Sequence, residues 1–570
     1  MNNYFKHKEL YTFILLTIIL LLYNPFNHKD VDDNISVTHS EYDNRINFTS
    51  NIAQINSLDE LRYANVNTGV SVQTSGYYNY GDGGAATYLI TDSAPSSPDD
   101  IFVIKLKNGK YANLLYDSNT ILNVACAGIF PGAEISDKLN QLIELSSRNK
   151  IYGIQFNTGT YLIDKPIKLK TLNYYGQANA VLSVTETFSP SGDWVFSNIH
   201  SPSISLTLNN INFEYNTSAN HPLSSAESTL FQLTDVTSCT MKHCSFIARN
   251  RDAATTNIPV NLLWFKHCNV MDNINIYKCT FDNETGSGNN NQNLRGGCLW
   301  FNGPSGTTSK KFSNINVIGS TFTHTTKDEC IGLWNGNFNT INISDCIFNI
   351  NEHYNENVIS LSKGEFHGLG INTCKFYINS MSNKVIKITQ LTHTSDIRLA
   401  SSYFKLYGWN SDPYTNTYAI IFLYENNTQS KHNITLEGNE FYSNNIVSYR
   451  ALVCCKNVNT SIVNIINNYI DANFLFGIEY LDNTTNIISN INGNNIKTLD
   501  YIATTSNVNN CPFYVSDNKL NKSVSLLIRD KSILSINTSS NTLHSRSFTP
   551  EVTYKSSSIK AGSTIYLNNK

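Results

Sequence analysis

The chain repeats a short unit in which Cys or Asn stands two positions before an apolar residue. Early copies span residues 276–281, 343–348 and 371–376. The closing apolar residues are Phe213, Phe246, Phe281, Phe322, Phe348, Phe376, Phe404, Phe441, Ile470, Ile496, Leu520 and Leu543. Their spacing varies from 23 to 41 residues, and the lower limit corresponds to one coil of a three-sheet helix, with the excess in loops. A repeat of this length indicates a solenoid, in which each coil buries its apolar face by stacking on its neighbours.

The position two residues before the closing residue is predicted to form a column at a turn. In the later coils it holds Asn439, Asn468, Asn494, Asn518 and Asn541. Stacked amides there can hydrogen-bond to one another, and Asn tolerates the left-handed backbone that a bend needs. In earlier coils it holds Cys244, Cys279, Cys346 and Cys374. A stack of cysteines favours small buried thiols over a disulfide framework.

The repeat predicts an all-β chain folded as a right-handed parallel β-helix. A leucine-rich horseshoe lacks support because the L-x-x-L-x-L pattern is missing, and a propeller lacks its blade signature and regular spacing. Composition agrees, since only 15% of the residues are charged and the abundant Asn, Ser, Thr and Ile suit strands and turns.

The N-terminus reads as an export signal. Lys6 and Lys8 precede an apolar run from Leu10 to Tyr23, which is short for a spanning helix of about 17 to 25 residues. No small-x-small cleavage site follows, so residues 1–23 are either a cleaved signal peptide or an uncleaved signal anchor. A buried core helix is the alternative. We expect a secreted or membrane-anchored protein whose body lies outside the cytoplasm.

The remaining chain divides into four parts. Residues 24–54 are predicted to be a linker, 55–117 a small β module, 118–545 the β-helix and 546–570 a C-terminal tail or cap. Within the β-helix, Glu134 to Asn149 has apolar residues at helical spacing, with Ser136 as a possible N-cap. We expect this helix to cap the first coil.

Three stretches carry a resemblance to known proteins. They are Gly81-Asp82-Gly83-Gly84 before an alternating strand, the segment from Ala127 to Gly132 before the helix, and the segment from Asn157 to Ile163. Together with the coils they resemble the pectate-lyase superfamily of β-helices and, in the opening modules, phage tailspikes and capsule depolymerases. The resemblance covers residues 55 to 545 and implies the fold; the tailspike likeness also suggests a homotrimer.

The family's catalytic signatures are absent from this chain. The sequence lacks the Asn-Thr-Asp, paired Asp and Gly-His-Gly set of polygalacturonases, and it lacks the Trp-x-Asp-His of pectate lyases. The entry segment also lacks the usual Gly-Asp-Gly. No catalytic residue can therefore be carried over from either group.

An acidic column supplies the candidate catalytic residues. Matching residues 295–303 with 328–336 and 356–364 places Arg295, Asp328 and Glu356 at one position of three coils, with Glu329 beside Asp328. Coils stack about 4.8 Å apart, and alternation from inward Ile331 and Leu333 turns this column outward. Carboxyl groups there could serve as acid and as base or nucleophile in glycoside hydrolysis, or with Arg295 in a lyase or epimerase. The alternative is a surface ion-pair ladder.

Other side chains near this column are candidates for substrate binding. The same alignment predicts a shared outward position for Phe301 and Trp334, whose rings could stack on sugars or simply pack. His324 and Lys327 flank the acidic pair, where a solvated turn is the alternative. Lys363, the second-last residue of the third aligned segment, completes the set.

These features favour a polysaccharide-cleaving protein, either a hydrolase or a lyase. A non-catalytic glycan-binding or structural surface protein is the alternative, and a phage-derived tailspike explains the opening module but not the apolar N-terminus. We expect no nucleic-acid partner. The chain has 41 basic and 44 acidic residues and a net charge of −3, so it lacks the positive field that binds phosphates. We expect no cofactor and no metal, since no C-x-x-C pair with matching histidines occurs and Cys454-Cys455 suits zinc poorly.

Overall fold

The computed structural model describes most of the chain from residue 52 onward. The described residues are 52–190, 192–199, 201, 203–217, 228–250, 260–284, 296–305, 310–326, 328–351, 357–379, 384–390, 395–407, 419–425, 431–443, 449–499, 501–506, 508, 511–520, 525–529, 534–539, 542–543, 552–554 and 564–567. The predicted signal and nearly all of the predicted linker lie outside these residues.

Three long parallel sheets form the body of the protein, and each coil passes through them in the order sheet 1, sheet 2, sheet 3. Sheet 1 contains Ile121–Asn123, Gly153–Phe156, Leu172–Gly176, Ile204–Asn209, Val236–Lys242, Met271–Tyr277, Lys311–Ile318, Asn337–Ser344, Glu365–Asn372, Ser395–Ala400, His432–Glu437, Ile462–Ile466, Ile488–Asn492, Cys511–Ser516, Leu534–Ser539 and Thr564–Leu567. Sheet 2 contains Gly159–Ile163, Ala180–Val184, Asn212–Thr217, Ser245–Asn250, Thr280–Asn283, Thr321–His324, Ile347–Ile350, Lys375–Asn379, Tyr403–Tyr407, Glu440–Ser443, Tyr469–Asp471, Asn495–Ile496, Lys519–Leu520 and Thr542–Leu543. Sheet 3 contains Ile167–Lys168, Trp194–Ser197, Thr229–Leu233, Asn261–Phe265, Leu299–Asn302, Ile331–Trp334, Asn357–Ser362, Lys384–Thr389, Ala419–Tyr424, Tyr449–Lys456, Phe474–Leu481, Tyr501–Ser506, Ser525–Arg529 and Val552–Tyr554. The predicted right-handed parallel β-helix is confirmed.

The predicted column of closing residues runs through the interior of sheet 2. Each pairs with the next in register, from Phe213 and Phe246 to Leu520 and Leu543. The eight phenylalanines from Phe213 to Phe441 stack with centroids 4.6 to 5.2 Å apart and ring planes within 20° of parallel. One coil spacing of about 4.8 Å therefore sets both the strand pairing and the ring stacking.

The predicted asparagine ladder lies at the turn between sheets 1 and 2. Asn439, Asn468 and Asn494 each donate the backbone N–H and the side-chain amide to Oδ1 of the next Asn, at 2.9 to 3.0 Å. Asn518 accepts at the end of this described series, and Asn541 lies outside the described residues. The ladder residues do not adopt the left-handed backbone themselves. That conformation falls on the residue just before each ladder position: His243, Lys278, Gly319, Asp345, Thr373, Ser401, Gly438, Asn467, Gly493 and Asp517.

The cysteines belong to the packed interior. All twelve are among the described residues; all are buried, and none of them forms a disulfide bond. Cys244, Cys279, Cys346 and Cys374 occupy the predicted ladder position, with Ser320 and Ser402 at the same position of other coils. Burial of small thiols in this column is confirmed.

A helix and a small sheet precede the coils. The helix spans Ser136–Arg148, and its buried face includes Leu139, Leu142 and Ile143. Ser136 is its first residue rather than its N-cap, because its hydroxyl accepts from the backbone N–H groups of residues 164 and 165 in the coil. A short 3₁₀ helix, Val124–Ala127, leads into this region.

The small module is a five-stranded sheet with one helix, Leu58–Tyr63. Its strands are Ile52–Ile55, Ser71–Thr74, Thr87–Thr91, Val103–Lys105 and Tyr111–Leu114. At the other end of the chain, Val552–Tyr554 and Thr564–Leu567 pair with the preceding coils, so strands continue into the range predicted as a tail. In the described part of the chain, no helix combines the length and apolar character needed to cross a membrane.

Candidate functional site

Buried polar side chains concentrate at the corner between sheets 2 and 3. In one coil, strand Thr321–His324 ends and strand Ile331–Trp334 begins, with a turn between them. Asp328 and Glu329 in this turn are only 7% and 4% exposed. They were predicted to face solvent on the outer surface, so that orientation is wrong: the carboxyl groups lie in a buried polar cluster. Neighbouring coils add Asn261, Asn283 and Asn357, all buried.

His324 supports the main chain of this turn from beneath. The residue is fully buried, and its Nε2 lies 2.8 Å from the carbonyl oxygen of Asp328 and 3.1 Å from the Thr326 hydroxyl. Because a carbonyl only accepts, Nε2 donates to Asp328. A direct contact of His324 with substrate, as predicted, is therefore wrong. Its role in the structure is to hold the backbone that carries the acidic pair.

Cys298 completes the buried contacts of His324. Its Sγ lies 3.5 Å from His324 Nδ1, and Cys330 stacks on it from the next coil. Burial raises the pKa of the Cys298 thiol, but the hydrogen bond from Cys330 and the nearby His324 outweigh this and lower the pKa to about 6. The pKa of Cys330 is raised well above its ordinary value by burial and by its contact with Cys298.

Glu329 is oriented by the coil above it. Asn357 Nδ2 donates to Glu329 Oε1 at 3.3 Å, and Asp328 Oδ1 accepts from the backbone N–H of Glu329 at 3.1 Å. Asn357 is fully buried, yet its Oδ1 accepts no hydrogen bond in the described part of the structure. Buried acceptors without a partner are rare in folded proteins, so this one marks the corner as an unusual polar environment.

Three tryptophans cover the outer face of sheet 3 beside Glu329. Trp264 and Trp300 pair on adjacent coils with ring centroids 5.7 Å apart, and Trp334 lies 5.0 Å from Trp300. We call these three residues the tryptophan column. Trp300 fits because residue 332 in the next coil is Gly. A Cβ added at this position would lie 3.2 Å from the indole ring.

The tryptophan column is mostly buried but not fully hydrogen-bonded. Trp300 Nε1 donates to the Glu329 carbonyl at 3.4 Å, whereas the buried Nε1 atoms of Trp264 and Trp334 have no acceptor among the described residues. Lys266 Nζ lies 4.6 Å over the Trp264 ring, a geometry that holds a cation beside the aromatic surface.

The predicted pairing of Phe301 with Trp334 is wrong by one residue. Phe301 pairs with Leu333, and Trp334 pairs with Asn302. Phe301 points inward, is 1% exposed and stacks on Phe265, so it cannot contact a ligand on the outer face. The predicted register between the next two coils is confirmed, since Ile331 pairs with Ile359 and Trp334 with Ser362.

The error in register also changes the predicted acidic column. Extending the observed pairing back from Leu299 and Ile331 puts Gly297, and not Arg295 or Gly296, level with Glu329. Arg295, Lys327 and Glu356 lie outside the described residues, so their roles stay predictions. Lys363 is exposed at the corner between sheets 3 and 1, with a left-handed φ of 53°.

Sequence reasoning missed Trp264, Trp300 and Asn357. A usable signal existed, because Leu263-Trp264-Phe265 and Leu299-Trp300-Phe301 are matching triplets in successive coils. Among the described residues, no group of three or more His, Cys, Asp or Glu side chains is placed to hold a metal ion.

Comparison with known proteins gives matches in structure only. No protein-family model and no curated protein matches the chain. An Acinetobacter phage vb_AbaP_AS12 gp42 tailspike matches with a TM-score of 0.40 and 12% identity, over 76% of this chain and 74% of that one. The Streptococcus pneumoniae surface protein and adhesin PfbA matches with a TM-score of 0.39 and 12% identity, over 74% of this chain and 100% of that one.

A third match is Pantoea stewartii WceF, named as a glycan biofilm modifying enzyme with a tailspike-like parallel β-helix fold. Its TM-score is 0.31 at 10% identity, over 70% of this chain, which spans about half (48%) of that protein. The predicted resemblance to tailspike β-helices is confirmed at this level. Such distant likeness carries no information on activity.

Proposed function

We propose that the protein cleaves an extracellular glycan at the corner between sheets 2 and 3, with Asp328 and Glu329 as the reacting carboxyl groups. The observation that carries this proposal is that the buried residues Asp328 and Glu329 lie in a turn whose main chain contacts the tryptophan column, through Trp300 Nε1 and the Glu329 carbonyl oxygen. Glycoside hydrolysis usually uses two carboxyl groups, one as acid and one as base or nucleophile, and sugar rings stack on aromatic faces. The apolar N-terminal segment supports action outside the cytoplasm.

The geometry supports specific tasks for the neighbouring residues. Asn357 holds one oxygen of Glu329 from inside the protein, and so orients this carboxyl group without contacting the substrate itself. The unpaired Nε1 groups of Trp264 and Trp334 can donate to sugar oxygens while the rings stack against the sugar. Asp328 and Glu329 then serve as acid and as base or nucleophile in a hydrolase, or as base and acid in a lyase.

The test uses the full chain and a panel of acidic and neutral polysaccharides. Products are read both as new reducing ends and as ultraviolet absorbance of unsaturated uronates, which separates hydrolysis from elimination. We expect Glu329→Gln and Asp328→Asn each to lower the rate on a responsive glycan at least 100-fold, since acid–base catalysis contributes about 10²- to 10⁴-fold.

Asp345→Asn is the matched control. It lies in the left-handed turn after the sheet 1 strand of the next coil, Asn337–Ser344, and accepts from the Thr373 hydroxyl at 2.7 Å, which Asn can also do. Parental rates in both Asp328→Asn and Glu329→Gln would show that this corner is not catalytic. Glycan binding without any cleavage would instead favour a non-catalytic binding protein, which the tryptophan column also suits.

A further inference from the structure

The outer face of sheet 2 carries at least one tyrosine in each of four consecutive coils. Tyr377, Tyr403, Tyr442 and Tyr469 lie on strands Lys375–Asn379, Tyr403–Tyr407, Glu440–Ser443 and Tyr469–Asp471. We call these four residues the tyrosine strip. They are half-buried, while the alternate residues of the same strands point into the core, so the strip belongs to the surface.

Strand register arranges the tyrosines in a zigzag between two outward columns. One column contains Lys375, Tyr403, Glu440 and Tyr469, and the other contains Tyr377, Lys405, Tyr442 and Asp471. Within these two columns every coil presents one ring and one charged side chain, and the two exchange sides from each coil to the next. Strand Tyr403–Tyr407 adds a further outward ring, Tyr407, level with Asn379 of the preceding coil. Each step along the strip advances by one coil, about 4.8 Å.

The rings of successive tyrosines are close together but tilted, so each ring covers only part of the face of the next. Successive centroids are 6.1, 5.3 and 5.4 Å apart, with interplanar angles of 52°, 34° and 39°. By comparison, the interior phenylalanines of the neighbouring stack have nearly parallel rings. Tilted, half-exposed rings offer aromatic surface to a ligand.

The charged side chains along the strip differ in the partners that they contact. Glu440 accepts from the Tyr442 hydroxyl at 3.1 Å, and Asp471 accepts from the Tyr469 hydroxyl at 3.3 Å. Asp471 also pairs with Lys497 at 3.3 Å. Lys375 and Lys405 have no carboxylate within ion-pair distance in the described part of the chain, and Lys405 lies instead 5.1 Å over the Tyr407 ring. Net positive charge is thus left at the end of the strip formed by the first two coils.

We propose that the tyrosine strip is a binding surface for an anionic glycan chain that lies along the helix axis. Successive sugar rings would stack on successive tyrosines, since the coil spacing is of the order of one pyranose residue. An extended glycan turns alternate residues to opposite sides, as the zigzag does. Lys375 and Lys405 would contact its carboxylate or sulfate groups. This surface begins on the sheet 2 strand two coils beyond the turn that carries Asp328 and Glu329, and its function does not depend on cleavage.

Binding is measured on the full chain by affinity electrophoresis in gels containing hyaluronate, alginate, chondroitin sulfate or uncharged dextran. We expect retention by at least one of the three anionic polymers and weaker retention by dextran. Tyr403→Ile with Tyr442→Ile keeps strand-forming apolar side chains but removes two rings, and should weaken binding at least tenfold. Lys375→Gln with Lys405→Gln should abolish the preference for the anionic polymer and its sensitivity to salt.

Tyr514→Ile is the control, because Tyr514 is an exposed tyrosine on the outer face of sheet 1; it should bind as the parent does. Parental binding in both double variants overturns the proposal, as does failure of the parent to bind any of the three anionic polymers. Concentration-dependent self-association that disappears in the tyrosine variant, without glycan binding, would assign the strip to a second copy of the chain. Loss of cleavage in Glu329→Gln with retained binding leaves this proposal intact.

Discussion

Asn468 Oδ1 accepts two hydrogen bonds from Asn439, one from its backbone N–H and one from its side-chain amide, each at 2.9 Å. Asn468 in turn donates to the Leu436 carbonyl and to the next Asn of the ladder. One amide thus bridges three coils inside the protein, where water cannot replace a lost partner.

Asn468→Ala is expected to destabilise the protein by about 3 kcal/mol, because two buried N–H groups of Asn439 lose their acceptor and the Leu436 carbonyl loses one donor. Urea unfolding followed by circular dichroism measures the change. Asn464→Ala is the matched control, since Asn464 lies on the outer face of the same coil and shares partly exposed hydrogen bonds; it should change stability by about 0.5 kcal/mol or less. Equal losses in the two variants would contradict a special role for the ladder.

Asp82 organises the loop of the small module and predicts an acid-dependent loss of order. Its carboxylate accepts from the backbone N–H groups of Tyr77, Tyr78, Asn79 and Gly84 at 2.8 to 3.0 Å. Burial opposes the charged form, but these bonds outweigh it and hold the pKa of Asp82 below its ordinary value of 3.8. The stabilisation is therefore present above pH 3.8 and is lost as the pH falls through the folded-state pKa.

Hydrogen exchange of residues 76–84 tests this pH dependence. The parent should protect these amides at neutral pH and lose protection at low pH, after correction for intrinsic exchange rates. Asp82→Asn should lack the protection at every pH, because an amide presents a donor where the loop needs acceptors. Protection in Asp82→Asn that matches the parent at neutral pH would show that the carboxylate does not order the loop.

Cys298 and His324 predict a measurable thiol titration. Burial raises the pKa of Cys298, but Cys330 and His324 lower it overall to about 6 from an ordinary 9.0. His324→Gln keeps a donor for the Asp328 carbonyl but removes the imidazole, so the pKa of Cys298 should rise. Ultraviolet thiolate absorbance follows the titration; Cys298→Ser should remove the step, and His243→Gln, an exposed histidine, should leave it in place. An unchanged step in His324→Gln would exclude His324 as its cause.

The sequence was most informative where one side-chain type repeats at a fixed place. Phe322, Phe348 and Phe376 each close a coil, so their identity alone defined the register of sheet 2. The corner near the candidate site lacks this property, because Trp300 faces Gly332 and a large residue is matched by a small one. Aligning Asn302-Gly303 with Asn335-Gly336 matched turn residues whose distances from the strand differ by one, and this moved Phe301 to the wrong face.

The sequence pattern also could not predict that Asp328 and Glu329 are buried. Strand alternation describes which face a residue occupies, but Asp328 and Glu329 lie in a turn that His324, Thr326 and Asn357 enclose. Such enclosure depends on side chains from coils about 30 residues apart, and it follows only once the register is known. The positive φ before each ladder position was missed for a similar reason, since residues as different as Lys278, Thr373 and Gly438 share it.

Gly332 tests whether the tryptophan column contacts the ligand. A Cβ at this position would lie 3.2 and 3.3 Å from two indole carbons of Trp300, so Gly332→Ala should shift the ring by a few tenths of an ångström at a cost of about 1 kcal/mol. We expect altered tryptophan fluorescence and several-fold weaker binding of a responsive glycan, with little change in the rate at saturation. Gly370→Ala is the control, because its Cβ would meet mainly the flexible end of Asn372 on sheet 1. Changed fluorescence together with parental glycan affinity would mean that Trp300 packs against the protein and does not bind the sugar.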